Sequence, residues 1–235
     1  MDRFFFAPPE AFSPTGHVVF PPDEAKHAVK VLRLRPGAAV TVVDGQGYAA
    51  RVQIEQADRH GVHGRVISTH KNLGEPVHEL TVGLALLKQQ KRYSLFLEKA
   101  VELGVTGIVP LLTERTESRN WREDRARQVM TAALKQCNRS KLPDLHPPTP
   151  LNQLLGPGIF MADPNTDTAL MTAIHQGGGP VRILVGPEGG FTEHERRLAR
   201  DSGAVLVRLG PRRLRAETAA ICCAAAVVLV GENGT

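Results

Sequence analysis

Short apolar strands and amphipathic helices alternate along the chain after residue 72, and this alternation restricts the possible fold more than any other feature. Runs of β-branched residues between turn residues predict strands, whereas apolar residues that recur every three or four positions predict helices. Strands that alternate with helices are typical of an α/β layer fold with a mostly parallel sheet. The predicted strands are Leu80–Leu87, Gly107–Leu112, Gly158–Ala162, Val181–Val185 and Ala204–Leu209, and the predicted helices are Tyr93–Leu103, Trp121–Cys137, a short one near Ala169, Thr192–Ser202 and the buried terminal run Ala219–Val230.

The first third of the chain is instead rich in strands. Short β-branched runs separated by turns that contain glycine predict a small barrel. One helix interrupts the strands, because Pro22-Asp23-Glu24 is a helix-start signal and Pro36-Gly37 is a stop signal. The predicted strands are Ala38–Asp44, Tyr48–Glu55 and Val62–Thr69.

A linker separates these two regions. The segment Lys71–Pro76 contains a glycine and a proline and marks the change of pattern. We therefore predict a first domain over residues 1–72 and a second domain over residues 73–235.

Two glycine-rich segments follow strands of the second domain. They are Gly186–Gly190, which comes directly after Val185, and Leu209–Arg215. In an open α/β sheet, ligands bind beyond the carboxyl ends of strands, and glycine lets a ligand approach the backbone closely. Neither segment matches the fingerprint of a dinucleotide or triphosphate site. The residues alone leave two interpretations open, a pocket for another ligand or ordinary tight turns between a strand and a helix.

The net charge of the chain is +5, and the excess of basic residues lies in its first two thirds. Such a surface suits a polyanion without requiring one. Because residues 151–235 carry equal numbers of basic and acidic residues, we expect a polyanion to bind the earlier part. The basic side chains nominated for RNA, each of which also suits an ordinary solvated surface, are Arg3, Lys26, Lys30, Arg33, Lys88, Lys91, Arg92 and Arg139.

Composition argues against disulfides, metals and membranes. There are three cysteines, and two of them, Cys222 and Cys223, are neighbours in an apolar run, which fits a reduced compartment such as the cytoplasm. No zinc-type ligand spacing is present, so we predict no metal. The terminal apolar run is shorter than the ~20 residues that a membrane span needs, so we predict no membrane association.

Five segments, taken together and in this order, carry a resemblance to a known family. They are Arg3-Phe4-Phe5, His27–Arg33, Glu98–Val105, Gly186–Thr192, and Leu209-Gly210 through Leu214–Ala219. They closely resemble the ribosomal RNA small subunit methyltransferase E family of the SPOUT class, over nearly the whole chain. The resemblance implies a PUA-like RNA-binding β-barrel over residues 1–72 and a trefoil-knotted α/β methyltransferase domain over residues 73–235. It further implies a homodimer that uses S-adenosylmethionine to methylate a uridine of 16S ribosomal RNA at ring N3.

The resemblance also assigns a cofactor pocket to the two glycine-rich loops and to the end of an earlier strand. Two positions depart from the family pattern: Arg213 stands where isoleucine is usual, and Lys135 stands where glutamate is usual. The residues expected to bind S-adenosylmethionine are Ala162, Val185, Gly186, Pro187, Glu188, Gly190, Leu209, Gly210, Leu214 and Thr218.

Methyl transfer from a sulfonium is an in-line displacement, so the protein has to supply alignment and control of the nucleophile's proton. Arg215 is our candidate cation to stabilise the anion of the uridine imino group. Glu217 could orient Arg215, act as a base, or simply match the dipole at the start of a helix. Two other functions stay open at this point. One is a noncatalytic RNA-binding or ribosome-assembly protein, and the other is a nucleotide-dependent enzyme, which the missing phosphate fingerprint argues against.

Overall fold

Every strand predicted from the β-branched runs of the sequence is present, whereas the three-residue strands Phe4–Phe6 and His17–Val19 were not predicted. The structure is a computed structural model that describes residues 3–77, 79–176 and 179–232. The chain divides into two units, which are described in turn. One comprises Met1–Glu75 with Thr131–Leu142, and the other comprises Pro76–Met130 with Pro143–Thr235.

A five-stranded sheet, one whole α-helix and the last part of another form the described part of the first unit. The elements that lie wholly within it are β1 Phe4–Phe6, β2 His17–Val19, α1 Pro22–Lys30, β3 Ala39–Val43, β4 Tyr48–Asp58 and β5 Gly61–Lys71. The strand order is β1-β3-β4-β5-β2, with β1 and β3 parallel and the other pairs antiparallel. The core contains Phe5, which is fully buried and whose ring lies 5.1 Å from that of Phe20.

Glu75 binds the segment Thr131–Leu142 into the first unit. Its carboxylate accepts hydrogen bonds from the backbone N–H groups of Ser140 (3.0 Å) and Lys141 (2.8 Å). It also accepts from Nη2 of Arg139 at 2.7 Å. This segment follows the linker by more than fifty positions, so the unit is not continuous in sequence.

A parallel sheet forms the centre of the second unit. Its elements are β6 Leu80–Ala85, α2 Gln90–Glu102, β7 Gly107–Leu112, α3 Glu123–Cys137, β8 Asp144–Leu145, β9 Thr149–Pro150, β10 Ile159–Ala162, α4 Leu170–Gln176, β11 Val181–Val185, α5 Glu193–Asp201, β12 Val205–Val207 and α6 Ala216–Glu232. The residues of α3 from Thr131 onwards belong to the first unit. The strand order β12-β10-β11-β6-β7-β8 is parallel throughout, and β9 also pairs with β7. The predicted α/β fold class with a parallel sheet is confirmed.

The helices of the second unit cover the sheet with their apolar sides. The terminal helix α6 packs against β6, β11, α2 and α4, which is why it is apolar nearly all round. The strand predicted over Ala204–Leu209 is shorter than expected: β12 pairs with β10 and ends at Val207, and Arg208 forms an isolated bridge with Ala169 instead. Trp121 precedes α3 and packs edge-on against Tyr93 of α2, with ring centroids 5.5 Å apart.

Candidate functional site

The register of the parallel sheet brings the ends of three strands together. Ala162, the last residue of β10, pairs with Val185 of β11 on one side and with Val207 of β12 on the other. The loops that leave these strands therefore start side by side at the carboxyl edge of the sheet. Both glycine-rich segments nominated from the sequence lie at this edge.

The loop after β11 is held in one tight turn. The Pro187 carbonyl oxygen accepts a hydrogen bond from the Gly190 N–H at 2.8 Å, and Gly190 has a positive φ of 67°. A Cβ atom on Gly186 would lie 3.2 Å from the ring of Phe191, so a side chain has little space there. Thr192 then caps α5, because its hydroxyl accepts from the Glu195 N–H and the Glu195 carboxylate accepts from the Thr192 N–H.

The loop after β12 leaves open space instead. Gly210 has a φ of 132°, and among the described residues no heavy atom outside Leu209–Pro211 lies within 4 Å of the place where its Cβ would be. The half-buried side chains of Leu209 and Leu214 flank this glycine in sequence, and Thr218 is exposed in the first turn of α6. An exposed glycine backbone beside apolar side chains suits an uncharged flat ring better than a phosphate.

Arg92 connects the two loops. Its guanidinium forms an ion pair with Glu188 of the β11 loop (2.7 Å from Nη1 to Oε1) and two hydrogen bonds with Glu217 of α6, one of them 2.8 Å from Nε to Oε1. Glu217 is 4% exposed and Arg92 is half-buried. Arg92 therefore bridges these elements, and its predicted contact with RNA would require this bridge to open.

The ion pair keeps Glu217 ionised. Burial acts to raise the pKa of its carboxyl group, but the hydrogen bonds from Arg92 and the positive charges of Arg92 and Arg215 outweigh burial, so the pKa lies below its usual value. A carboxylate so stabilised is a weak base at neutral pH. Its hydrogen-bond partner is Arg92, whereas the sequence offered Arg215 as one of three open possibilities, the others being a base and a residue that matches the helix dipole.

Two more arginines bind the tip of the β11 loop through its carbonyl oxygens. Nη1 of Arg115 donates to the Gly189 oxygen at 2.5 Å, and Nη2 of Arg213 donates to the Glu188 oxygen at 3.3 Å. Arg115 belongs to the loop after β7, and no sequence pattern nominated it. Its position directly after a parallel strand was the available signal.

Buried carboxylates fix the surrounding segments. Asp163 directly follows β10 and is 2% exposed; it forms an ion pair with Arg196 of α5 and accepts from the Asn165 N–H at 2.7 Å. Glu195 is 3% exposed and accepts from the Glu114 N–H at 2.8 Å, which ties α5 to the loop after β7. These two carboxylates were also missed from sequence, because their partners lie on distant segments.

Among the remaining basic residues nominated for RNA, one is buried and the others are exposed. Arg139 is 3% exposed and paired with Glu75, which gives it a structural role within the first unit. The other side chains lie at the surface: Arg3, Lys26, Lys30 and Arg33 in the first unit, and Lys88, which pairs with Glu117, and Lys91 in the second.

The departure at Lys135 has a structural explanation. Its ammonium group forms an ion pair with Glu24 of α1, and both side chains are largely buried. A glutamate at this position would place two carboxylates together, so lysine here matches Glu24.

Neither a metal site nor a membrane span is found among the described residues. Within residues 3–77, 79–176 and 179–232, no group of three or more histidine, cysteine, aspartate or glutamate residues could hold a metal ion. Over the same part of the chain, no helix combines the length and apolar character required to cross a bilayer.

Comparison with known proteins gave consistent matches to RNA methyltransferases. The family model of an RNA methyltransferase domain matches residues 74–228, and that of an RNA methyltransferase PUA domain matches residues 20–67. A ribosomal RNA small subunit methyltransferase E of Mycobacterium bovis is 31% identical over 87% of this chain and 83% of the relative.

Solved structures match over the full length of both chains. A ribosomal RNA small subunit methyltransferase E from Neisseria gonorrhoeae, bound to S-adenosyl methionine, has a TM-score of 0.87 with 28% identity and covers 98% of each chain. A probable rRNA methyltransferase from Porphyromonas gingivalis has a TM-score of 0.89 with 27% identity and covers 99% of this chain and 100% of its own.

Proposed function

Since the chain belongs to the ribosomal RNA small subunit methyltransferase E family, we propose that it transfers the methyl group of S-adenosylmethionine to a uridine of 16S ribosomal RNA at ring N3. The meeting of the two glycine-rich loops at one sheet edge is the observation that carries the proposal. The family supplies the activity class, and the residues at this edge supply the parts that such a transfer needs.

The cofactor is held by the loops that follow β10, β11 and β12. The open space at Gly210 and the half-buried leucines beside it fit the uncharged adenine ring of S-adenosylmethionine. The rigid turn at Gly186–Gly190 forms the facing wall, and its glycines expose backbone groups to the ligand. The proposed contacts are those of Ala162, Val185, Gly186, Pro187, Glu188, Gly190, Leu209, Gly210, Leu214 and Thr218.

Bound S-adenosylmethionine supplies an electrophilic methyl group, and the protein supplies orientation and charge. Arg215 is exposed immediately before α6, and no carboxylate lies within ion-pair distance of it in the described parts of the chain. Its guanidinium can therefore stabilise the negative charge that develops on the uracil ring as the imino proton leaves. Glu217 acts as a positioning residue, because it fixes Arg92 and through it the β11 loop.

The first unit provides RNA contacts away from the reacting base. Lys26 and Lys30 lie on α1, Arg33 follows it, and all three are exposed. Arg3 is exposed as well and donates to the Leu32 carbonyl oxygen at 3.2 Å, which places it beside the end of this helix. Such side chains neutralise phosphates without reading sequence. We assign RNA binding to residues 1–72 and catalysis to residues 73–235.

Three further properties belong to the proposal. The second domain is knotted as in its family, two copies associate into a homodimer, and the protein works in the cytoplasm, where the small ribosomal subunit is assembled. We propose no metal, since displacement at a sulfonium methyl needs no Lewis acid.

Mapping of modified nucleotides tests the function. Small-subunit rRNA from cells that lack the gene should be one methyl group lighter at a single uridine than wild-type rRNA, and the purified protein with S-adenosylmethionine should restore the mass. Calorimetry should detect binding of S-adenosylmethionine to the purified protein. Absence of both binding and mass change would favour a noncatalytic RNA-binding protein instead.

A further inference from the structure

Two guanidinium groups meet at the tip of the loop after β11. Arg115 and Arg213 come from different loops and donate to the carbonyl oxygens of the consecutive residues Gly189 and Glu188. Consecutive Cα atoms are about 3.8 Å apart. The two arginines therefore contact adjacent residues of one loop, and both side chains are exposed.

Among the described residues, the positive charges of this pair have no acidic partner. No carboxylate in that part of the chain lies within ion-pair distance of Arg115 or Arg213, whereas Arg92 nearby binds both Glu188 and Glu217. A carbonyl oxygen orients a guanidinium but does not neutralise it. Each guanidinium has five N–H donors and uses one here, so most of its donors are available.

The neighbouring acids are already occupied. Glu114 accepts from His194 at 2.9 Å, and that hydrogen bond holds the pKa of its carboxyl group below the usual value. Glu117 pairs with Lys88 at 3.1 Å. The charge of Arg115 also acts on Glu114 from beyond ion-pair distance. Arg115 and Arg213 therefore remain two positive charges without an ion-pair contact among the described residues, at the carboxyl edge of the sheet.

Local packing supports the position of Arg115. A Cβ atom on Gly189 would lie 3.2 Å from Cδ of Arg115, so the glycine allows the arginine stem to lie against the loop backbone. Arg213 stands at the position where the family resemblance predicts isoleucine.

We propose that Arg115 and Arg213 form a phosphate-binding pair for the RNA substrate at the tip of the loop after β11. The inference rests on the proposed function and deepens it. Two adjacent guanidinium groups can bind the oxygens of one phosphate through parallel charge-assisted hydrogen bonds. The phosphate would then lie against the loop assigned to the cofactor, and RNA binding would involve the last third of the chain as well as the first two.

The test compares the removal of positive charge beside the loop after β11 with its removal near the start of β11. The double variant Arg115→Gln/Arg213→Gln removes the pair, and glutamine retains an NH2 group that can donate to the loop carbonyls. Arg182→Gln is the matched control, because Arg182 is exposed near the opposite end of β11. The affinity of each protein for a single-stranded RNA oligonucleotide of mixed sequence is measured as a function of salt.

We expect the slope of log affinity against log salt to fall by about 0.7 for each single-strand phosphate that the double variant no longer neutralises. The slope should stay at the wild-type value in Arg182→Gln and in Arg115→Lys/Arg213→Lys, which keeps both charges. Equal slopes for the double glutamine variant and the wild type would overturn the proposal. If the slope fell as far in the lysine variant as in the double glutamine variant, the proposal would also be overturned. The lost hydrogen bonds to the loop, and not the lost charges, would then explain the fall.

Calorimetry with S-adenosylmethionine on the same proteins separates this inference from the function on which it rests. Wild-type protein that neither binds the cofactor nor methylates RNA would refute the proposed function. Wild-type protein that is active while the double glutamine variant keeps its salt slope would refute the phosphate pair alone.

Discussion

At the scale of single residues, the charges of the site are connected by contacts that run far along the chain. Arg92 donates hydrogen bonds to Glu188 and Glu217, which follow it in the sequence by 96 and 125 positions. The sequence could nominate all three residues, but their pairing depends on strand order, which no local pattern encodes. For the same reason the roles of Asp163 and Glu195 were missed, since each carboxylate is bound by a group on a distant segment.

Replacement of Arg215 tests the proposed catalytic cation. We expect Arg215→Ala to reduce methyl transfer by a factor of about 10² to 10³, the usual cost of removing one donor to a developing anion, with little change in cofactor affinity. Because a cation stabilises the deprotonated uracil, the activity of the wild type should also level off at lower pH than that of the variant. Single-turnover rates measured as a function of pH provide both values.

The exposed residue Arg208, at the end of β12, provides the control. Arg208→Ala makes the same charge change and should keep wild-type activity. Full activity in Arg215→Ala would end the proposed role, and a large loss of cofactor affinity would move Arg215 to the binding residues.

At the scale of elements, periodicity predicted the longer helices and strands, because each of them has a buried face with its own spacing. It did not predict the three-residue strands β1 and β2. Two-residue strands such as β8 and β9 are too short to give a pattern. The position of β10 between β11 and β12 was also not predictable, and it is this order that places the two glycine-rich loops beside one another. The sequence therefore identified the segments that form the site, but it did not show that these segments lie side by side.

The capping box of α5 is expected to stabilise the whole edge. Thr192→Ala removes a hydroxyl that accepts from the Glu195 N–H at 3.1 Å and should lower the free energy of unfolding by about 1 kcal/mol. Glu195→Ala should cost about 1–3 kcal/mol, because the part-buried N–H groups of Thr192 and Glu114 lose their acceptor. Urea titration measures both, and exposed Arg197→Ala on the same helix should change stability by less than about 0.5 kcal/mol. Equal stability of all three variants would contradict this role.

At the scale of the whole molecule, the second unit exposes apolar side chains on helices that pack together. Leu95 of α2, Met171 of α4 and Leu229 of α6 are 44%, 42% and 59% exposed, and α6 contacts both of the other helices. Apolar surface of this kind marks an interface when it forms one patch. We place the proposed homodimer contact on these helices.

Light scattering tests this placement. The wild type should have twice the mass of one chain, and Leu229→Glu should shift the protein towards monomer, since a carboxylate in an apolar interface loses its hydration. Val77→Glu is the control, because Val77 is 85% exposed and outside these helices. A monomeric wild type, or a Leu229→Glu variant that stays dimeric, would remove the interface from the proposal.

The packing of Trp121 against Tyr93 has a practical consequence. Trp121 is the single tryptophan of the chain, and it ends the loop that also contains Arg115. Its indole ring also lies beside α2, the helix that carries Arg92. The tryptophan fluorescence of the protein therefore originates at one position, in the same loop as Arg115, and gives an optical signal from that part of the protein without a label.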